Sequence, residues 1–134
     1  MDRMVTCTFN NTKYFLNYSI EIMFDMIDKF GSLREAMDVI AGESKASFEA
    51  VRWFFVRMVN DAELCLRASG YDPKPMIEES DITLRITPYD YALMKAAVVD
   101  AINNGYTRET GDGDKQEIDL GLEEIRAKKP AAGE

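Results

Sequence analysis

The stretch TFNNTKYFLNYSIEIMFDMIDKFGS, residues 8–32, changes its periodicity halfway along. Over residues 4–9, MVTCTF, β-branched or aromatic residues alternate with smaller ones, and after Asn10-Asn11-Thr12 the segment Lys13-Tyr14-Phe15-Leu16 can return antiparallel. Asparagine tolerates the left-handed backbone of a tight turn, so this part reads as a β-hairpin. From Ser19 the spacing becomes helical. Ser19 is placed to cap, Ile20, Met23, Phe24, Ile27 and Phe30 share an apolar face, Glu21, Asp25 and Asp28 fall on the other, and Gly31 supplies the stop.

Further helices follow. Ser32 and Glu35 have capping-box spacing before the stripe Leu33, Ala36, Met37 and Ile40, which ends at Gly42. The longest periodic run extends from about Ala46 to Ser69, with Phe48, Val51, Phe55, Met58, Val59, Ala62, Cys65 and Leu66 on one broad face, and it is the expected spine of the core. Gly70 to Pro75 is a clear break. After it, Ile82, Leu84 and Ile86 alternate with Thr83, Arg85 and Thr87, which predicts a third short strand near 82–87. Thr87, Pro88 and Asp90 then open a last helix that runs to Gly105. The fold class expected is α+β and predominantly helical: an N-terminal hairpin followed by a bundle of about four helices. Residues 1–106 form one globular domain in this reading. Residues 107–134, acidic and poor in aromatics, form a C-terminal tail expected to be disordered, with a transient helix over 118–128.

Composition narrows the function. A formal net charge of -8 and a pI near 4.6 argue against binding a phosphate backbone. The chain has no histidine, which removes the usual general base near neutral pH and the commonest metal ligand. Cys7 and Cys65 stand in apolar runs and read better as reduced thiols than as a disulfide framework, although a bridge between them stays open at this point. No apolar run reaches the length of a membrane span, and MDRMVTCTF lacks the pattern of a signal peptide, so a cytoplasmic location is expected.

Groups that could carry chemistry have plainer readings. Asp112, Asp114 and Glu123 match three positions of a calcium loop, but Glu117 stands where glycine is required. Glu78, Glu79 and Asp81 form a carboxylate cluster without a nucleophile or a phosphate loop beside it. No catalytic residue, metal ligand or cofactor is therefore assigned, and the chain is expected not to be an enzyme. A stronger signal lies on the long helix, where Trp53, Val56 and Leu64 fall among Arg52, Arg57 and Arg67 on the side away from the main stripe. Apolar anchors with a cationic rim at helical spacing suit a groove for a partner helix, whereas cover by the chain's own elements is the plainer reading.

The order of features over residues 4–42, namely the hairpin, LNYS at 16–19, the acidic amphipathic helix, KFGS at 29–32 and LREAMDVIAG, resembles the small tail assembly chaperones of long-tailed bacteriophages and Gram-positive prophages. The resemblance implies a non-enzymatic protein of the bacterial host cytoplasm. It would hold the helical, apolar tape-measure protein while the tail tube assembles, with the tube protein as a further contact. It also implies a longer frameshifted form, for which Ala127-Lys128-Lys129 is the tripeptide a slippery A-rich heptamer would encode. Two alternatives stand beside it: a structural tail component, tube-associated or a completion protein, whose apolar patch is a permanent interface as in a homo-oligomer, and a small helical protein-interaction module.

Overall fold

The computed structural model describes residues 4–109 and 115–117. Strands β1 (Val5–Phe9) and β2 (Thr12–Leu16) pair antiparallel, with Phe9 opposite Thr12 and Val5 opposite Leu16. Asn10 and Asn11 take φ of 53° and 60°, both positive, as a two-residue turn matching the strand twist requires. One face of the hairpin, carrying Cys7, Phe9 and Leu16, is buried, while Thr6 and Thr8 on the opposite face are exposed. Both cysteines are free thiols, Cys7 buried and Cys65 half-buried. Burial, reinforced by the Asp90 carboxylate, pushes the Cys7 thiol up to about 11.

Helices α1 (Ile20–Phe30) and α2 (Leu33–Ala41) follow at once, capped by Ser19 and Ser32, whose hydroxyls accept from Ile22 N and Glu35 N. Between them Gly31 has φ +102°, a backbone conformation that residues with a side chain rarely adopt, which is why glycine stands at the corner. Helix α3 (Lys45–Ala68) is the spine. Val51, Phe55, Met58 and Ala62 of its expected stripe are buried, and Phe54 and Val56 join them. Three consecutive buried residues, 54 to 56, mean that neighbours surround the middle of α3 on most sides. The hairpin covers one side through Phe9 and Tyr14, whose rings lie 5.8 and 5.3 Å from Phe55. Leu33, Ala36 and Ile40 of α2 cover a second. The long final helix, Pro88–Gly105, covers a third with Met94, Ala97, Val98, Ala101 and Ile102, and the small alanines permit close approach.

The strand expected near 82–87 is not formed. Residues Glu79–Thr83 make a short helix, α4, so the final helix is α5. The Asp81 carboxylate accepts from Glu78 N at 2.8 Å and the Thr83 hydroxyl donates to Glu79 O at 3.0 Å, which closes one helical turn. Ile82 is buried at 1% exposure while Leu84 is 84% exposed, so the two point to opposite sides. Five residues of alternation are too few to separate one helical turn from a strand. Beyond Tyr106, β3 (Thr107–Glu109) pairs antiparallel with β4 (Lys115–Glu117), so regular structure continues past the expected end of the domain. The helix expected over 118–128, the calcium-loop matches Asp112, Asp114 and Glu123, and Ala127-Lys128-Lys129 lie outside the described residues.

Candidate partner-binding surface

The six residues proposed from the long helix do not line one groove. Val56 is 9% exposed and belongs to the core, because α3 is covered on the side where the helical wheel left it free. Trp53 is half-buried against Phe30 and Phe54, with ring centroids 5.7 and 4.9 Å away in edge-on geometry. Its remaining surface is roofed by cations, Lys29 at 5.7 Å and Arg57 at 5.5 Å from the ring. Arg57 pairs with Asp25 of α1 at 2.5 Å. Arg52 donates to the Thr83 hydroxyl at 2.7 Å and pairs with Glu79 at 3.4 Å. Those two cations tie α3 to α1 and α4. Only Leu64 is an exposed apolar side chain of the set.

Arg67 belongs to a third arrangement. The segment 71–78, without regular secondary structure, is strapped to α3 by side chains at successive turns. Asn60 holds both main-chain groups of Ile77, donating to its carbonyl at 3.0 Å and accepting its N–H at 2.9 Å. Glu63 accepts Lys74 N at 2.6 Å and Arg67 Nε at 2.9 Å, and Arg67 also donates to Lys74 O at 2.8 Å. The Lys74 amide, then the Arg67 guanidinium, hold the Glu63 carboxyl below the ordinary glutamate range. A carboxyl lowered in the folded state stabilises fully above its unfolded pKa of about 4.3, and that contribution is lost as the pH falls through the lowered value. Between pH 6 and 3, Glu63→Gln should therefore flatten the acid side of the thermal-stability profile. Parallel profiles for the two chains would show that Glu63 carries no pH-linked stability.

Among the described residues, α1 carries three exposed large apolar side chains at one helical spacing. The apolar arc of this helix is wider than the core it meets: Ile22 and Met26 are buried, Met23 and Phe30 are half-covered, and Ile20, Phe24 and Ile27 remain 63%, 58% and 39% exposed. The expected apolar face of Ile20, Met23, Phe24, Ile27 and Phe30 is thus not the buried one, since Ile22 and Met26, outside it, enter the core. The helix turns its Ile22–Met26 edge inward, where α2 and α3 pack against it. Positions 20, 24 and 27 have the i, i+4, i+7 spacing of a single helical ridge. Glu21 and Asp28 flank it on one side, while Asp25, beyond them, is held by Arg57. The sequence contained the signal, an apolar arc too broad for one contact, but its division needed the neighbours.

The described residues contain no group of three acidic or cysteine side chains able to hold a metal ion. The carboxylates of the 78–81 cluster cap α4 or pair with Arg52. No helix among the described residues is long and apolar enough to cross a membrane. Comparison with family models, with curated proteins and with solved structures finds no match.

Proposed function

We propose that the chain is a non-enzymatic tail assembly chaperone that holds a helical, apolar segment of a tape-measure protein along α1. The observation that carries this reading is the exposed ridge of Ile20, Phe24 and Ile27. A second amphipathic helix laid along it would bury all three side chains, and Glu21 and Asp28 favour a partner with lysine or arginine beside its apolar stripe. The resemblance of residues 4–42 to the chaperone family supplies the identity of that partner.

Magnitude supports holding over permanent assembly. Covering three half-exposed side chains contributes roughly 3–5 kcal/mol before the cost of association, which corresponds to millimolar affinity at best for one chain. Such a contact releases readily and becomes strong only when many copies line one long partner. A permanent tail component would need a larger apolar face.

The test is recovery of partners by tagged full-length chain in cells making the neighbouring tail proteins, with mass spectrometry of what is bound. The tape-measure chain should be recovered by the wild type and reduced at least about tenfold by Phe24→Asp, with the melting temperature unchanged because surface changes fall within about ±0.5 kcal/mol. Equal recovery by the variant would remove α1 as the site. Recovery of tube protein in fixed ratio, without tape measure, would overturn the chaperone reading.

A further inference from the structure

The segment 71–78 is held to α3 mainly through its main chain. Residues 71–76 and 78 are exposed and Ile77 is half-buried, so apolar burial does little to keep the segment in place. Its bonds go instead to three side chains of α3. Glu63 accepts Lys74 N at 2.6 Å and Arg67 donates to Lys74 O at 2.8 Å, so both main-chain groups of one residue are gripped by an i, i+4 ion pair closed at 2.9 Å. Asn60 grips both main-chain groups of Ile77 in the same way. Residue 60 meets 77 while 63 and 67 meet 74, so the segment runs antiparallel to α3. Seven helical residues rise about 10 Å and three extended ones reach about as far, which lets both grips close together.

Neither end of the segment is packed down. Gly70, at the α3 end, has φ +99°, and no atom beyond its chain neighbours lies within 4 Å of where a Cβ would stand. At the other end Glu78 is extended, with φ −123° and ψ 164°, before α4 begins. In the middle, Pro73 and Pro75 fix their own φ, lack N–H groups and hold Asp72 and Lys74 to extended conformations. A released segment therefore keeps much of its closed shape, and its grips are lost and regained together.

What the segment covers is apolar. A cavity of about 250 Å³, bounded by the segment, α3 and β2, has Lys74, Pro75 and Ile77 on one wall and Val59, Ala62 and Leu66 on another. A second cavity, of about 640 Å³, has Tyr71, Asp72 and Lys74 beside Met4, Phe15 and Leu66. Lys74, the residue held by Glu63 and Arg67, lines both. We infer that residues 71–78 are a latch on α3 that opens as one unit while the helices stay folded, and that its opening joins the two cavities into one apolar trough along Val59, Ala62 and Leu66. Asn60, Glu63 and Arg67 are the catches of this latch, and none of them belongs to the α1 ridge.

Amide hydrogen exchange followed by NMR on the full chain tests this. In the wild type the Lys74 and Ile77 amides should share one protection, at least about tenfold above that of an unfolded chain and at least about tenfold below that of Phe54 and Phe55 in α3. Asn60→Ala should speed Lys74, which Asn60 does not bond, by the same factor as Ile77. Glu63→Ala should likewise speed Ile77 as much as Lys74, with Phe54 and Phe55 still the slower amides in both variants. Acceleration confined to the amide that has lost its own partner would overturn the proposal, because the two grips would then open separately. So would exchange of Lys74 and Ile77 at the rate of Phe54 and Phe55, which would make the segment part of the core's unit, or a lack of protection in the wild type, which would mean no closed latch. Should Glu63→Ala fail to fold, the wild type and Asn60→Ala decide.

Discussion

Replacing Phe54 by Ala is expected to destabilise the protein by about 3–5 kcal/mol, a large part of the 5–15 kcal/mol typical of a domain. Phe54 is 0% exposed at the middle of α3, where no mobile surface segment can collapse into the space left behind. Its ring stacks on Phe30 of α1 with centroids 5.6 Å apart and planes 9° from parallel, and it meets Trp53 edge-on at 4.9 Å. The substitution removes transfer free energy, two aromatic contacts and the anchor of α1 at once. Denaturant unfolding should show the midpoint falling with the slope unchanged. A loss below about 1.5 kcal/mol would mean that α1 repacks into the cavity and is not held by this ring.

Ile82→Ala is expected to cost about 2–4 kcal/mol, whereas Leu84→Ser should stay within about 0.5 kcal/mol. Ile82 is the one buried residue of α4, and Leu84, two positions on, is almost fully exposed. Were 82–86 a strand with Ile82 and Leu84 on one inward face, the two substitutions would cost alike, so the pair of measurements separates the helix from the strand directly. The effect should also be local in part. With Ile82 gone, α4 keeps the contacts of Arg52 to Thr83 and Glu79, and the strap 71–78 keeps its bonds to Asn60 and Glu63. Exchange of amides in 79–83 should therefore rise before that of α3. Uniform exchange through both elements would show α4 to be part of one cooperative unit with the spine.

Local signals in the sequence determined where elements begin, turn and end. Asn10-Asn11 place the hairpin turn, Ser19, Ser32 and Thr87 mark helix starts and Gly31 marks a corner, and the structure has each of them. These depend on backbone preferences and capping bonds that span three or four residues, so no distant part of the chain is needed to read them. What only the tertiary structure decided is which side of each amphipathic element is covered. The apolar arc of α1 could bury either Ile20, Phe24 and Ile27 or Ile22 and Met26. Val56 could be anchor or core, and Ile82 could begin a strand or complete a helical turn. Burial of apolar area carries no direction of its own, so those choices rest on where the hairpin, α2 and α5 meet α3, contacts made between residues far apart in the chain.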